Sequence, residues 1–113
     1  MIIYTDRLIP KRFAGYTIGP IIFIRPSHKD DIGLIEHEKI HVKQFWSHFP
    51  IFGLLYRISK YRLKFEAQAY AKQLKYYTVD KTNIFADFLV KNYNLKITKQ
   101  QAIDALKEYD TSR

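Results

Sequence analysis

The apolar positions of this 113-residue chain change their period along its length. From position 16 to 25 the run Tyr-Thr-Ile-Gly-Pro-Ile-Ile-Phe-Ile-Arg is rich in β-branched and aromatic residues and is interrupted by Gly19-Pro20. That pattern predicts a strand near 13–18 and a second over 21–25. Proline at position 20 has no amide donor, so the second strand is expected to start there or to lie at a sheet edge. After Pro26 the period becomes helical. Ser27, with Asp30 three residues on, reads as a capped start, and Asp30 and Asp31 suit the positive end of a helix dipole.

That helix is expected to reach about His48, with Glu36, Lys39, Lys43 and Ser47 as its polar stripe and Ile35, Val42, Phe45, Trp46 and Phe49 as its core face. Phe49-Pro50-Ile51-Phe52-Gly53 breaks it. A second helical region follows over 54–61 and 62–77, as one helix or two. Ile84, Phe85, Phe88 and Leu89 recur at spacings of three and four and predict a helix over 81–93. Thr98 and Gln101 fit a capping box opening a last helix over 99–109, and 110–113 reads as a frayed tail. The expected class is α+β, mostly helical, with a short N-terminal hairpin or small sheet packed on the first helix. With 47% apolar residues and no repeat, positions 1–113 suit one domain around one core.

The first helix carries His37-Glu38-Lys39-Ile40-His41. Residues four apart on an α-helix are offset by about 40° around the axis and roughly 6 Å along it, so both imidazoles can reach one ion. Glu38 points some 60° to the other side of His41, close to such an ion but outside its ligand set. A general base stands there to take a proton from water activated by a metal. Leu34, Ile35, Val42 and Phe45 surround these residues, so the motif faces inward, where unpartnered imidazoles and a carboxylate would cost several kcal/mol. A metal relieves that cost, and the chemistry points to one zinc per chain with Glu38 as base.

Such a zinc needs a third protein ligand. There is no cysteine, so the choice is among Asp30, Asp31, Glu36, Asp80, Asp87, His28, His48 and Glu66. His48 lies about 10 Å beyond His41 along the helix, too far for the same ion. Glu66 is the stronger candidate because it is the only charge on the stripe Leu63, Glu66, Ala67, Tyr70, Ala71, Leu74. Ala67 and Ala71 would let this helix approach another closely. The competing reading pairs Glu66 with Arg62, one turn earlier.

Three segments together resemble the core of a minimal gluzincin, a class of small HExxH metallopeptidase-like proteins of bacteria and phages. They are Tyr-Thr-Ile-Gly-Pro-Ile-Ile-Phe-Ile (16–24), Leu-Ile-Glu-His-Glu-Lys-Ile-His-Val-Lys-Gln (34–44) and Phe-Glu-Ala-Gln-Ala-Tyr-Ala (65–71). The resemblance covers about 16–74 and implies a zincin-like fold, His37, His41 and Glu66 as zinc ligands, Glu38 as base, and a peptide or protein substrate. It also implies a strand ahead of the active-site helix that holds extended substrate. If that strand is an edge, Ile21, Ile22, Phe23 and Ile24 would pair their backbone with a peptide. Thermolysin-like members carry an aspartate four residues after the ligand glutamate; here that position is Tyr70. Tyr70 is read either as an oxyanion donor, a role also open to Arg62 or Tyr61, or as a core aromatic.

Charge adds a second class of reading. The chain has 19 basic and 11 acidic residues, net +8, which favours an anionic partner. Arg57, Lys60, Arg62, Lys64, Lys72 and Lys75, interleaved with Tyr56, Tyr61, Tyr76 and Tyr77, would suit a non-catalytic module that binds nucleic acid. A third reading lays 52–65 on an anionic membrane as a basic amphipathic helix. The segment 1–13 lacks the apolar run of a signal peptide and 49–56 is too short to span a bilayer, so a cytoplasmic location is expected. Substrate specificity and oligomeric state leave no mark on the sequence.

Overall fold

The computed structural model describes residues 1–110; of the tail expected at 110–113, Asp110 instead caps the last helix, its amide bonded to the Lys107 carbonyl at 3.3 Å, and the rest lies outside the described residues. Three short strands come first: β1 (Ile2–Tyr4), β2 (Gly15–Ile18) and β3 (Ile21–Ile24). After a 3-10 turn at Pro26–His28 come five helices: α1 (Ile32–Ser47), α2 (Phe52–Tyr56), α3 (Ser59–Leu74), α4 (Thr82–Asn92) and α5 (Lys99–Tyr109). The class is α+β and mostly helical, as the periodicity implies.

The sheet order is β1-β3-β2, with β1 parallel and β2 antiparallel to β3. This corrects the expectation for Ile21, Ile22, Phe23 and Ile24: they form the middle strand, both of whose edges are paired. Ile22, Phe23 and Ile24 are all buried, and consecutive burial is what a strand covered on both faces requires. Pro20 sits in the turn just before β3, where its missing donor breaks no ladder bond. β1, which the sequence pattern does not announce, supplies the second neighbour.

Helix α1 begins later than the Ser27 cap implies. Ser27 lies within the 3-10 turn, and Asp31 is the cap, accepting from the Leu34 amide at 3.1 Å. The region after Pro50 is two helices, α2 and α3, while α5 opens on the expected Thr98–Gln101 capping box with both of its bonds formed.

Two apolar clusters hold these elements. Ile22 and Ile24 of β3 pack on Leu34 and Ile35 of α1, whereas Ala67 and Tyr70 of α3 pack with Phe85, Ala86 and Leu89 of α4, Leu95, and Ala102 and Leu106 of α5. The expected core face of α1 is only half right. Ile35 is buried and Val42 and Phe45 partly so, but Trp46 and Phe49 face outward. The buried position in the last turns is instead Gln44, on the side of the helix that carries His37 and His41. Helices α1 and α3 face one another between the two clusters.

Candidate metal centre

Helix α1 presents His37 and His41 toward Glu66 on α3, and all three are buried. His37 Nε2 and His41 Nε2 are 3.2 Å apart, His41 Nε2 and Glu66 Oε1 3.1 Å, and His37 Nε2 and Glu66 Oε1 3.5 Å. The three donors lie close enough together to bind a metal ion. Glu66 thus joins the histidines, and the Arg62 alternative does not form. The Arg62 guanidinium instead donates to the carbonyls of Tyr56, Arg57, Tyr93 and Asn94. His48 is turned back onto the carbonyl of Gln44.

Electrostatics in the site follow from this closeness. Burial lowers the affinity of His41 for its proton, but the Glu66 carboxylate, by its charge and its hydrogen bond, outweighs that effect and holds the imidazole pKa up to about 9. Burial works against the Glu66 anion in turn, and His41 and His37 overcome it, holding the carboxyl well below the usual carboxylate range. The two shifts have one source, the 3.1 Å contact between His41 Nε2 and Glu66 Oε1.

Gln44 sets the orientation of His41. Its Nε2 donates to the Phe65 carbonyl at 3.0 Å and to Gln68 Oε1 at 3.0 Å, so its Oε1 is left to accept from His41 Nδ1 at 2.9 Å. A carbonyl can only accept, which fixes the amide; the amide oxygen can only accept, which fixes Nδ1 as a donor. The Nε2 lone pair of neutral His41 then faces His37 and Glu66. His37 is held differently, with the Tyr70 ring 4.3 Å from its own at a steep angle and Nδ1 buried without a partner. The Tyr70 hydroxyl meets that of Tyr93 at 2.7 Å. Tyr70 is buried in the apolar cluster of α3, α4 and α5 and packs behind His37; it does not line the cavity that His41 and Glu66 share with Glu38, but with His37 and Glu38 it lines a second one.

That cavity, of about 370 Å³, is lined by His37, Glu38, His41 and Glu66 together with Gly15, Tyr16, Thr17, Phe45, Phe52 and Tyr56, among others. Glu38 Oε2 stands 3.9 Å from His37 Nε2, outside the triangle of donors, as its place on the helix requires. Thr17 Oγ1 donates to Glu38 Oε1 at 2.7 Å. A side chain at position 15 would begin 3.2 Å from Glu38 Oε2 and 3.0 Å from Ile24 Cδ1, so glycine there keeps the carboxylate's second oxygen open.

Four residues of the site were not singled out for it by sequence reasoning: Gly15, Thr17, Gln44 and Tyr56. Gln44 is three residues beyond His41 on the same helix, a spacing that places it beside the imidazole, so a signal existed. Tyr56 belongs to the basic, aromatic set expected at the surface, yet its hydroxyl donates to Glu66 Oε2 at 2.5 Å. Tyr77 of the same group bonds inward to Asp31. The four tyrosines therefore do not make one stacking face. Among the described residues no helix is long and apolar enough to cross a membrane.

No family model matches this chain, and no curated protein or solved structure matches it either.

Proposed function

We propose that this chain is a zinc-dependent metallopeptidase of the minimal gluzincin type, with a zincin-like fold, in which His37, His41 and Glu66 hold the ion and Glu38 is the general base. The observation that carries this reading is the spacing of the three donors. Tetrahedral coordination with bonds of ~2.0–2.1 Å sets ligand atoms about 3.3 Å apart, and the measured separations are 3.1, 3.2 and 3.5 Å. Two imidazole nitrogens and one carboxylate oxygen, buried together and leaving a side open to a cavity, are the donor set of a catalytic zinc site. When bound, zinc supplies Lewis acidity, bringing the pKa of water toward neutrality and polarising a carbonyl oxygen.

The remaining steps belong to the chain. Thr17 occupies Glu38 Oε1, so Oε2 is the atom that takes the proton from the attacking water and passes it to the leaving amine. Extended substrate is held by β2 and not by β3. The Arg25 amide donates to the Ala14 carbonyl at 3.0 Å, and Gly15 faces Ile24 in the register. Hydrogen-bonded pairs alternate in an antiparallel ladder, so Tyr16 and Ile18 bond to β3 while Gly15 and Thr17 turn their backbone groups to the free edge. Both line the cavity, and a peptide added at that edge would be read by its main chain.

The test is a pair of measurements on the purified chain. Equilibrium dialysis is expected to give one zinc per chain for the native protein and for Glu38→Gln, and a peptide library should be cleaved only by the former. Zinc bound at one per chain without cleavage of any peptide would remove the peptidase and leave a metal-binding module.

A further inference from the structure

Five large apolar residues stand out of the surface in one short stretch of chain. Trp46, Phe49, Ile51, Leu54 and Ile58 are between 48% and 64% exposed. Trp46 and Phe49 have ring centroids 5.8 Å apart, and both pack against Phe45, at 5.0 and 5.7 Å. Ile51, Leu54 and Ile58 follow at spacings of three and four along consecutive turns, in which the Leu55 amide bonds to the Ile51 carbonyl and the Ile58 amide to that of Leu55. Isolated exposed apolar residues need no explanation, but a contiguous group does.

Lysine and arginine are the only formally charged side chains along this stretch of chain at neutral pH. From Val42 to Phe65 there are five basic residues, Lys43, Arg57, Lys60, Arg62 and Lys64, and no acidic residue at all. Arg62 is engaged by internal carbonyls, and the other four are exposed. We propose that the end of α1, the turn after it and α2 form a docking face for an anionic lipid bilayer. Tryptophan and phenylalanine seat at the headgroup boundary, isoleucine and leucine dip beneath it, and the ring of cations meets the lipid phosphates.

Charge decides between this occupant and others. A second copy of the chain on a two-fold axis would set the cationic rim against itself. A nucleic acid would satisfy the cations and could stack on Trp46 and Phe49, but it would leave the aliphatic side chains at 51, 54 and 58 in water. The face also differs from a single amphipathic helix over 52–65. It is assembled from α1, a turn and α2, and α3 contributes only cations at its first turns. Phe45, Phe52 and Arg57 belong to the wall of the cavity beside the metal centre, so a docked molecule holds that cavity next to the bilayer. The docking itself does not depend on catalysis.

Trp46 is the only tryptophan, so its emission reports on this face directly. The full chain, with and without zinc, is titrated with phosphatidylcholine vesicles and with vesicles containing equal parts of phosphatidylglycerol. A blue shift, quenching by brominated lipid, and co-sedimentation roughly tenfold stronger with the anionic vesicles are expected, weakening about tenfold in high salt. Leu54→Asp, at an exposed position, should reduce binding at least about tenfold while leaving the melting curve unchanged. The proposal is overturned if anionic vesicles at low salt leave the Trp46 spectrum unmoved. It is equally overturned if Leu54→Asp binds as the native chain does. A shift that follows protein concentration alone, with a doubled mass by light scattering, or a response to single-stranded oligonucleotide and none to vesicles, would also sink it. Peptide hydrolysis enters none of these readouts, so a failed peptidase assay leaves the docking result standing.

Discussion

The Tyr56 hydroxyl donates to Glu66 Oε2 at 2.5 Å, while the other oxygen of the same carboxylate faces His37 and His41. Glu66 is thereby held at both ends, by the last residue of α2 on one side and by α1 on the other. A carboxylate buried to this degree needs its lone pairs occupied, and the division of labour leaves Oε1 alone to meet the imidazoles.

On the proposed assignment of Glu66 as a zinc ligand, Tyr56→Phe should therefore weaken zinc binding about 10–100-fold, the usual effect of losing a hydrogen bond to a metal ligand. Competition against a chromophoric chelator measures it, with far-ultraviolet circular dichroism as the control for folding. Unchanged affinity would show that packing of α3 on α1 orients Glu66 unaided.

Gln44→Leu removes the acceptor that defines His41 Nδ1 as a donor and leaves the Phe65 carbonyl without its amide partner. Zinc affinity should fall by about 10–100-fold. Stability should also drop by about 1–3 kcal/mol, since buried polar groups lose their partners. Urea unfolding of the metal-free protein separates the second effect from the first.

Gly33 is a contact point between α1 and the segment that follows α3. A Cβ there would stand 2.8 Å from Tyr77 Cζ and Oη, and the same hydroxyl donates to the Asp31 cap of α1 at 2.7 Å. Gly33→Ala should lower stability by about 1–3 kcal/mol, as overpacking does, in spite of the better helix propensity of alanine. An unchanged melting temperature would mean that the Tyr77 ring swings aside freely.

The buried phenols predict a fold sensitive to alkali. Burial, opposed by the Gln73 amide and assisted by Asp31, pushes the Tyr77 hydroxyl up to about 12. Burial likewise raises Tyr70 and Tyr93, with the Glu66 charge adding to it. A pKa raised in the folded state means that the folded chain prefers the neutral phenol. The contribution is complete below the unfolded value of about 10 and is lost as pH rises through the folded one. Denaturant midpoints should hold steady to about pH 10 and then decline toward 12, with a shallower decline in Tyr77→Phe. A midpoint independent of pH over that interval would contradict the burial of these rings.

Two structural decisions lay beyond local pattern. The β-propensity of 21–24 announces a strand but not its neighbours, because pairing on its second side depends on β1, twenty residues away. Trp46 and Phe49 satisfy helical periodicity for a core face, yet among the described residues both stay more than half exposed, since the sheet and α3 cover α1 elsewhere. Periodicity measures which residues share a side; it does not measure whether that side is occupied.

For the metal centre the division has a clear physical origin. His37, Glu38 and His41 were legible from the sequence because helix geometry alone puts two residues four apart on one face and the residue between them to the side. Glu66 was legible as the only charge on an apolar stripe, with the two histidines favoured as its partners and Arg62 as the alternative. That Glu66 meets the histidines and not Arg62, that Gln44 and Tyr56 orient the donors, and that the free strand edge at the cavity is β2 were decided by how α1, α2, α3 and the sheet pack. Contacts between residues 10 to 29 positions apart are paid for in chain entropy and recovered only in the assembled core, so no local rule in the sequence could specify them.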